Sequence, residues 1–269
     1  MNNRYPEHTV IHPKAQIGEN VTIGPFSFID ADVVVGDNTY IGPHVTILNG
    51  ARIGASVQVH SGAVISGLPQ DLKYKGEETT TVIGDRTVIR EYVTINRGTS
   101  YAMHTKVGSD CLLMAYSHVA HDCILGDRVI LANNVTLAGH VEIEDWAILE
   151  GLVAVQQFTR IGQHAFVAGG SLVRKSVPPY VRAAREPISY IGVNNVGLTR
   201  RGFSRETINQ IHEIYRILFV RGKALTSAVE DVKSTVTTSE ELETILTFIA
   251  SAEKTGIIRG FTGATNGSD

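Results

Sequence analysis

Aliphatic side chains recur every six residues along the first two thirds of the chain. From Ile11 to Val173, each sixth position is Ile, Val or Leu except at Asp71, Glu77 and Tyr101. An amphipathic helix would need apolar residues about 3.6 positions apart, and a half-buried strand would alternate every second residue. Short strands joined by tight corners explain a period of six, because each strand then directs one branched side chain inward. Three such strands per coil predict an all-β parallel solenoid with about 18 residues in each coil.

The exceptions to this period mark two segments that we predict to leave the solenoid as loops. Asp71 and Glu77 lie in "SGLPQDLKYKGEETTT", and Tyr101 lies in "RGTSYAMHTK". The six-residue phase resumes after each segment, so we place protruding loops at about 66–82 and 98–106. Loops that leave a rigid scaffold frequently carry functional residues.

After the last aliphatic rung the pattern becomes helical. The prolines of "SVPPYVRAAREP" cannot donate to another sheet ladder. Ser204 is a good N-cap for the amphipathic run "SRETINQIHEIYRILFV", and Thr238 with Glu241 forms a candidate capping box for a later helix. We therefore predict a β-solenoid over 1–190 and a small α-helical C-terminal domain over 191–269, ending in a disordered tail, "TGATNGSD".

Composition narrows the functional classes. The chain has 269 residues and a net charge of −3, which gives no overall attraction to nucleic acid. The N-terminal "MNNRYPEHTV" lacks the apolar stretch of a secretory signal, and no run approaches the roughly 18 apolar residues of a membrane span. The two cysteines of the chain, Cys111 and Cys123, lie in aliphatic segments. These features predict a cytoplasmic protein with reduced thiols.

Chemistry-bearing residues concentrate in "SHVAHDC", which contains His118, His121 and Asp122. Residues one coil apart lie about 4.8 Å from each other. Steps of 18 from His121 and Asp122 therefore predict a shared corner, formed by His121, Asp122, Gly139, His140 and Gln157. A histidine is partly neutral at pH 7, a carboxylate orients its ring, and a corner glycine exposes its backbone N–H. This combination suits acyl transfer to a hydroxyl, with a general base beside an oxyanion donor.

Zinc binding is the alternative interpretation of the same segment. His118 and His121 are both suitable ligands, but zinc sites usually need three or four protein ligands. His118 stacks on Thr136 in the coil arithmetic, so the coil supplies no third ligand. A neighbouring subunit can supply one, and zinc therefore stays open at this point.

Seven motifs together resemble the UDP-N-acetylglucosamine O-acyltransferase family: "QDLKYKGE", "REYVTINRGT", "KVGSDCLLM", "HVAHDC", "LANNVTLAGHV", "VPPY" and "GLTRRGFSRE". The resemblance spans nearly the whole chain and is more specific than the hexapeptide repeat, which many acetyltransferases share. It implies a left-handed β-helix, a hand that is unusual for parallel crossovers, followed by a helical C-terminal domain. It also implies a homotrimer with active sites between subunits.

The family's reaction is the first step of lipid A biosynthesis in Gram-negative bacteria. The resemblance therefore implies transfer of a 3-hydroxyacyl group from acyl carrier protein to the 3-position of UDP-N-acetylglucosamine. It implies no resident cofactor and no metal, because the 4′-phosphopantetheine arrives on the carrier protein.

Residue by residue, the resemblance makes His121 the general base, Asp122 its polarising partner and Gly139 the oxyanion donor. Nine further positions match substrate-binding residues: Gln70, Asp71, Lys73, His118, His140, Gln157, Asn194, Arg200 and Arg201. Gly169 matches the position that measures acyl-chain length, and its lack of a side chain predicts long donors, with Leu172 as an alternative stop. Two positions depart from the family pattern, because Gln156 replaces a common histidine and Val196 a common acidic residue.

A basic band supports an acidic carrier protein and a diphosphate as partners. Only Glu186 opposes its seven cations, which are Arg174, Lys175, Arg182, Arg185, Arg200, Arg201 and Arg205. Two other functional classes remain as alternatives, a trimeric zinc-dependent carbonic anhydrase on the same kind of solenoid and a scaffold solenoid without catalysis. For the acyltransferase, the acceptor group is either a 3-hydroxyl or a 3-amino group.

Overall fold

The computed structural model describes residues 6–252 and 255–260. Short strands wind into triangular coils, and each full coil adds one strand to each of three flat sheets, here named A, B and C. Nearly all the strands are two to four residues long and pair in parallel with the coils before and after them. The predicted parallel solenoid is confirmed, while the predicted tail at 262–269 lies outside the described residues.

Each full coil places its strands in the order A, B, C, and after Leu172–Val173 the chain enters sheet C without another strand in sheet B. Sheet A consists of Val10–Ile11, Phe28–Ile29, Thr46–Ile47, Val64–Gly67, Thr94–Asn96, His118–Val119, Thr136–Leu137, Ala154–Val155 and Leu172–Val173. Sheet B consists of Gln16–Ile17, Val33–Val35, Ala51–Ile53, Thr80–Ile83, His104–Val107, Ile124–Leu125, Glu142–Ile143 and Arg160–Ile161. Sheet C consists of Thr22–Ile23, Tyr40–Ile41, Gln58–Val59, Val88–Ile89, Leu112–Leu113, Ile130–Leu131, Ile148–Leu149, Phe166–Val167, Val181–Ala184 and Ser189–Val193.

The aliphatic rungs form the core inside the coils. Ile47, Ile95 and Leu137, for example, are fully buried. Burying each such side chain stabilises the folded state by roughly 1.5–3 kcal/mol relative to leaving it exposed. The tight corners are made by residues with positive φ, including Asp122, His140 and Phe158 where sheet A turns into sheet B. We call this edge the A–B corner.

Two segments without strands lie between strands of sheets A and B, and we call them the first and the second protruding loop. One spans 68–79 and the other 97–103, because Thr80–Ile83 and His104–Val107 already belong to sheet B. Each loop lengthens its coil, so Ile65 pairs with Ile95, 30 positions on, and Ile95 pairs with Val119, 24 positions on. In sheet A, partners lie 18 positions apart again from Val119 onward.

The C-terminal region closes the solenoid and then becomes helical. Val181–Ala184 and Ser189–Val193 form an antiparallel pair at the end of sheet C. The helices are α1 (Asn195–Arg200), α2 (Arg205–Tyr215), a π-helical turn (Arg216–Val220), α3 (Leu225–Thr235) and α4 (Glu240–Ser251).

The sequence predicted the N-cap of α2 correctly and the N-cap of α4 incorrectly. Ser204 caps α2 by accepting from the Thr207 N–H at 3.1 Å. The predicted capping box of Thr238 and Glu241 is wrong by one residue, because Ser239 is extended and caps α4 through the Leu242 N–H. Within the described ranges, none of the helices combines the length and the apolar content needed to span a membrane.

Candidate active site

The A–B corner brings the predicted residues of successive coils together. His140 N–H donates to the His121 carbonyl at 3.1 Å, and Phe158 N–H donates to the Gly139 carbonyl at 3.3 Å. His121, Gly139 and Gln157 thus lie in one row, with Asp122, His140 and Phe158 in the next.

His121 is held by the carboxylate that follows it. Its Nδ1 lies 2.7 Å from Asp122 Oδ2, and only 11% of the side chain is exposed. An ionised carboxylate can only accept, so Nδ1 carries the proton and Nε2 is left unprotonated as a base. The ring lies against Gly139, where a Cβ atom would come within 2.7 Å of Nε2.

Asp122 is fully buried and its two oxygens accept four hydrogen bonds. Oδ1 accepts from the backbone N–H groups of Thr99 and Ala102, at 2.9 and 3.1 Å. Oδ2 accepts from Thr99 Oγ1 at 2.6 Å as well as from His121. Burial opposes ionisation, but the hydrogen bonds from Thr99 and His121 outweigh it and hold the pKa of Asp122 below its ordinary value. The carboxylate therefore stays charged beside the base.

His118 and His140, the other two histidines near this corner, are neutral polar groups beside His121. Burial lowers the pKa of His118, whose Nδ1 lies 2.7 Å from Thr94 Oγ1. Burial also lowers the pKa of His140, whose ring stacks on Phe158 with centroids 4.4 Å apart and meets Tyr101 edge-on. Neutral rings can donate or accept hydrogen bonds without adding charge to the site.

A groove of about 560 Å³ runs over sheet A beside His121. Five of the predicted site residues line it: Gln70, His118, His121, Gly139 and Gln157. Its floor is made by the outward side chains of later coils, Thr136, Ala154 and Leu172, with Arg174 at the far end. The groove therefore offers a polar end at the base and a largely apolar floor beyond it.

The Gly139 N–H is available to a ligand at this end of the groove. Among residues 6–252 and 255–260, it has no hydrogen-bond acceptor. A free N–H next to a general base is the arrangement that stabilises a developing oxyanion.

Two other kinds of chemistry fit the corner less well. His121, Asp122 and His140 offer ligand atoms within 4.8 Å of one another, but the Asp122 oxygens already accept four hydrogen bonds, which leaves little capacity for a metal ion. Cys111 and Cys123 are poor nucleophiles, because burial raises their pKa values to about 11 and about 12.

Asp71 and Lys73 lie on the first protruding loop rather than on the groove wall. Asp71 Oδ1 accepts from the Lys73 N–H at 2.9 Å, and Leu72 between them is fully exposed. Both charges are near enough to His140 to influence its titration. Gly169 also lies outside the groove lining, with its N–H 3.3 Å from Glu150 Oε2.

Asn194 and Arg200 line a second groove, of about 380 Å³, on a different face of the solenoid. Sheet C forms its floor through Ile148 and Phe166. The Asn194 side chain is buried and caps α1, accepting from the Gly197 N–H and donating to the His164 carbonyl. Within the described chain, the Arg200 side chain has no hydrogen-bond or ion-pair partner.

The Arg201 side chain makes its contacts with other residues of the same chain. Its guanidinium lies over the Trp146 ring, 5.1 Å from the centroid, and donates to the Trp146 carbonyl at 3.1 Å. Burial, followed by the charge of Arg201, lowers the pKa of the neighbouring His164 to about 4. The structure gives Arg201 these intramolecular contacts and gives it no place in the lining of either groove.

The two residues that depart from the family pattern, Gln156 and Val196, both line grooves. Gln156 lines the groove beside His121, and Val196 lines the groove over sheet C. In the basic band, Arg174 pairs with Glu186 at 2.6 Å, and Arg182 lies over the Phe166 ring.

Residues 177–258 match a family model described as UDP-N-acetylglucosamine O-acyltransferase, domain 2, and residues 32–67 and 104–139 match the bacterial transferase hexapeptide model. An acyl-[acyl-carrier-protein]–UDP-N-acetylglucosamine O-acyltransferase of Thiobacillus denitrificans is 45% identical over 192 residues, covering 71% of this chain and 74% of the relative. The enzyme of the same name from Herminiimonas arsenicoxydans is 48% identical over 201 residues, covering 72% and 76%.

Solved structures agree over nearly the full length. A UDP-N-acetylglucosamine acyltransferase from Bacteroides fragilis superposes with a TM-score of 0.93 at 47% identity, covering 94% of this chain and 99% of that one. The Francisella novicida enzyme gives 0.92 at 38% identity, covering 96% and 95%. The fold is accordingly a left-handed β-helix followed by an α-helical region. The chain belongs to the UDP-N-acetylglucosamine O-acyltransferase family.

Proposed function

We propose that this protein transfers a 3-hydroxyacyl group from acyl carrier protein to the 3-hydroxyl of UDP-N-acetylglucosamine, the first step of lipid A biosynthesis. The observation that carries the proposal is the His121–Asp122 pair, whose free Nε2 lies against Gly139 at the end of an open groove. The names of the relatives in Thiobacillus denitrificans and Herminiimonas arsenicoxydans support the same donor and acceptor.

In the proposed reaction, His121 Nε2 takes the proton of the sugar hydroxyl as its oxygen attacks the thioester carbonyl. The C–O bond forms, and the carbonyl oxygen becomes an oxyanion that the Gly139 N–H stabilises. Asp122 stabilises the imidazolium through Nδ1. Collapse of the intermediate breaks the C–S bond, and His121 returns its proton to the leaving thiolate. The protons and charges of this reaction balance without a metal or a resident cofactor. We therefore propose that the protein uses neither.

In this proposal, the two grooves and the first loop bind different parts of the substrates. The apolar floor from Thr136 to Leu172 suits the acyl chain, while Arg200 and Lys73 are cations available for phosphate groups. The buried free thiols of Cys111 and Cys123 support a reducing, cytoplasmic location.

Product mass spectrometry tests the proposed function directly. Purified protein is incubated with UDP-N-acetylglucosamine, or its 3-amino analogue, and a panel of acyl carrier thioesters of different chain lengths. We expect an O-acylated product from a 3-hydroxyacyl donor and the 3-hydroxyl sugar. Absence of acyl product with every donor, or a strong preference for the 3-amino sugar, would contradict the assignment.

We also propose that the protein works as a homotrimer, because the two grooves lie on different faces of one chain. The outward positions of sheet C are apolar over five successive coils: Val88, Leu112, Ile130, Ile148 and Phe166. An apolar stripe of this length marks an interaction surface. Packing it against sheet A of a neighbour would place Arg200 of one subunit opposite His121 of the next and would close the site.

If the protein is a trimer, one charged side chain introduced on sheet C should disrupt its assembly. Ile130 lies between Leu112 and Ile148, so Ile130→Glu should bury a carboxylate at the interface. Light scattering should give about three times the 29.1 kDa chain mass for the wild type and a lower mass for the variant, with loss of turnover. Val82→Glu is the matched control, because Val82 lies between Arg52 and Lys106 on sheet B. An active wild-type monomer would refute the trimer.

The position of Arg200 predicts that its removal weakens substrate binding. An unpaired guanidinium placed for a phosphate contributes roughly 1.5–3 kcal/mol through a charged hydrogen bond. Arg200→Ala should therefore raise KM for one substrate about 10-fold or more while kcat changes little. Arg216→Ala, which removes an exposed arginine outside the basic band that is already paired with Glu213, is the control. Wild-type KM values for both substrates in Arg200→Ala would show that this cation contacts neither.

A further inference from the structure

The second protruding loop, residues 97–103, wraps the A–B corner on the side of Asp122. Thr99 is 5% exposed, and it supplies two of the four hydrogen bonds to the carboxylate, one from its N–H and one from its hydroxyl. The Ala102 N–H supplies a third. The loop is closed on itself by the Met103 N–H, which donates to the Thr99 carbonyl at 2.8 Å.

The Thr99 hydroxyl shares one oxygen with the general base. Oδ2 of Asp122 accepts from Thr99 Oγ1 at 2.6 Å and from His121 Nδ1 at 2.7 Å. Two donors on one oxygen fix the rotation of the carboxylate, and the carboxylate in turn fixes the plane and the tautomer of the imidazole. Thr99 itself does not line the groove beside His121, so it acts on the reaction only through Asp122.

We infer that Thr99 is a positioning residue for acyl transfer, which it supports by orienting the Asp122–His121 pair through its hydroxyl. This inference rests on the proposed function. It gives the second loop a catalytic purpose and predicts a defect in turnover rather than in substrate binding.

The test replaces the hydroxyl while keeping the shape of the side chain. In Thr99→Val a methyl group takes the place of an oxygen 2.6 Å from Oδ2, which is too close for carbon, so the carboxylate must turn. A displacement approaching 1 Å in a catalytic group costs up to about 100-fold in rate. We expect kcat to fall about 10-fold or more with KM within about twofold of wild type, and Thr99→Ser to recover most of the loss.

Thr79 provides the matched control. Its buried hydroxyl donates to the Gly98 carbonyl at 2.6 Å and anchors the same loop without touching Asp122. Thr79→Val should lose comparable thermal stability and keep kcat. If Thr99→Val does not fold, Thr99→Ala and Thr99→Ser, which differ only in the hydroxyl, decide the same question.

The outcomes separate the inference from the function on which it rests. Wild-type kcat in Thr99→Val or Thr99→Ala, an equal loss in Thr79→Val, or a defect confined to KM overturns the role of Thr99 and leaves acyl transfer intact. A wild-type protein that acylates no acceptor overturns both.

Discussion

Replacing His121 with alanine should lower kcat by at least about 100-fold, because a positioned general base contributes roughly 10²–10⁴ to the rate. The side chain is nearly buried and its Nδ1 bonds to Asp122, so Nε2 is the atom left to take the acceptor proton. Folding should be retained, since the aliphatic rungs that build the coils are untouched. Steady-state turnover with acyl carrier thioester and UDP-N-acetylglucosamine measures the effect.

Two comparisons make this result specific. His44→Ala removes an exposed corner histidine that stacks on Phe26, far from the groove in the coil order, and should leave kcat unchanged. Added imidazole should restore part of the activity of His121→Ala by occupying the space of the lost ring. Turnover near the wild-type value in His121→Ala would mean that another group removes the proton.

Gly139→Ala should lower kcat about 100-fold or more with little change in stability. The new Cβ would lie 2.6 Å from His121 Cε1 and 2.7 Å from Nε2, closer than real contacts allow. The imidazole can swing away, so the fold survives, but the base then leaves both Asp122 and the acceptor. Misplacement of a reacting group by about 1 Å is enough to cost about 100-fold.

Gly151→Ala is the matched control for this change. Gly151, like Gly139, directly precedes a corner residue with positive φ, Leu152 in one case and His140 in the other. Its added Cβ meets only the Asn133 carbonyl at 3.4 Å, an ordinary contact. We expect near wild-type kcat and melting temperature in Gly151→Ala. Equal activity in the two variants would show that the space beside His121 is not needed by the reaction.

The fold was predictable because its signal is local and repeated. Each rung, such as Ile29, Val119 or Leu137, needs only an apolar side chain six residues after the last, and a strict period specifies the coil without knowledge of distant partners. The hand of the coil was not contained in that period, since rungs point inward in either hand, and it came from the family. Details that depend on one backbone angle were also missed, as when Ser239 rather than Thr238 capped α4.

The catalytic corner was predictable for a related reason. No insertion interrupts the chain between His118 and Val173, so steps of 18 residues correctly placed Gly139 beside His121 and His140 beside Asp122. Ordinary acid–base chemistry made His121 a candidate general base at that corner and left zinc open, and the family resemblance supplied the assignment. Histidine next to aspartate is informative once the coil length is known.

Only the tertiary structure decided which groups support that corner and which do not. Thr99 is 23 residues before Asp122 and Thr94 is 24 before His118, because the second loop adds residues to one coil and shifts its partners away from the 18-residue step. Arg200 and Arg201 are neighbours in sequence, yet one lines a groove and the other packs on Trp146, because successive helical residues point in different directions. The repeat alone therefore determined the coil and brought His121, Asp122 and Gly139 to one corner. The depth of burial, the hydrogen bonds to Asp122 and the separation of the two grooves arose from loops and helices whose positions no local period encodes.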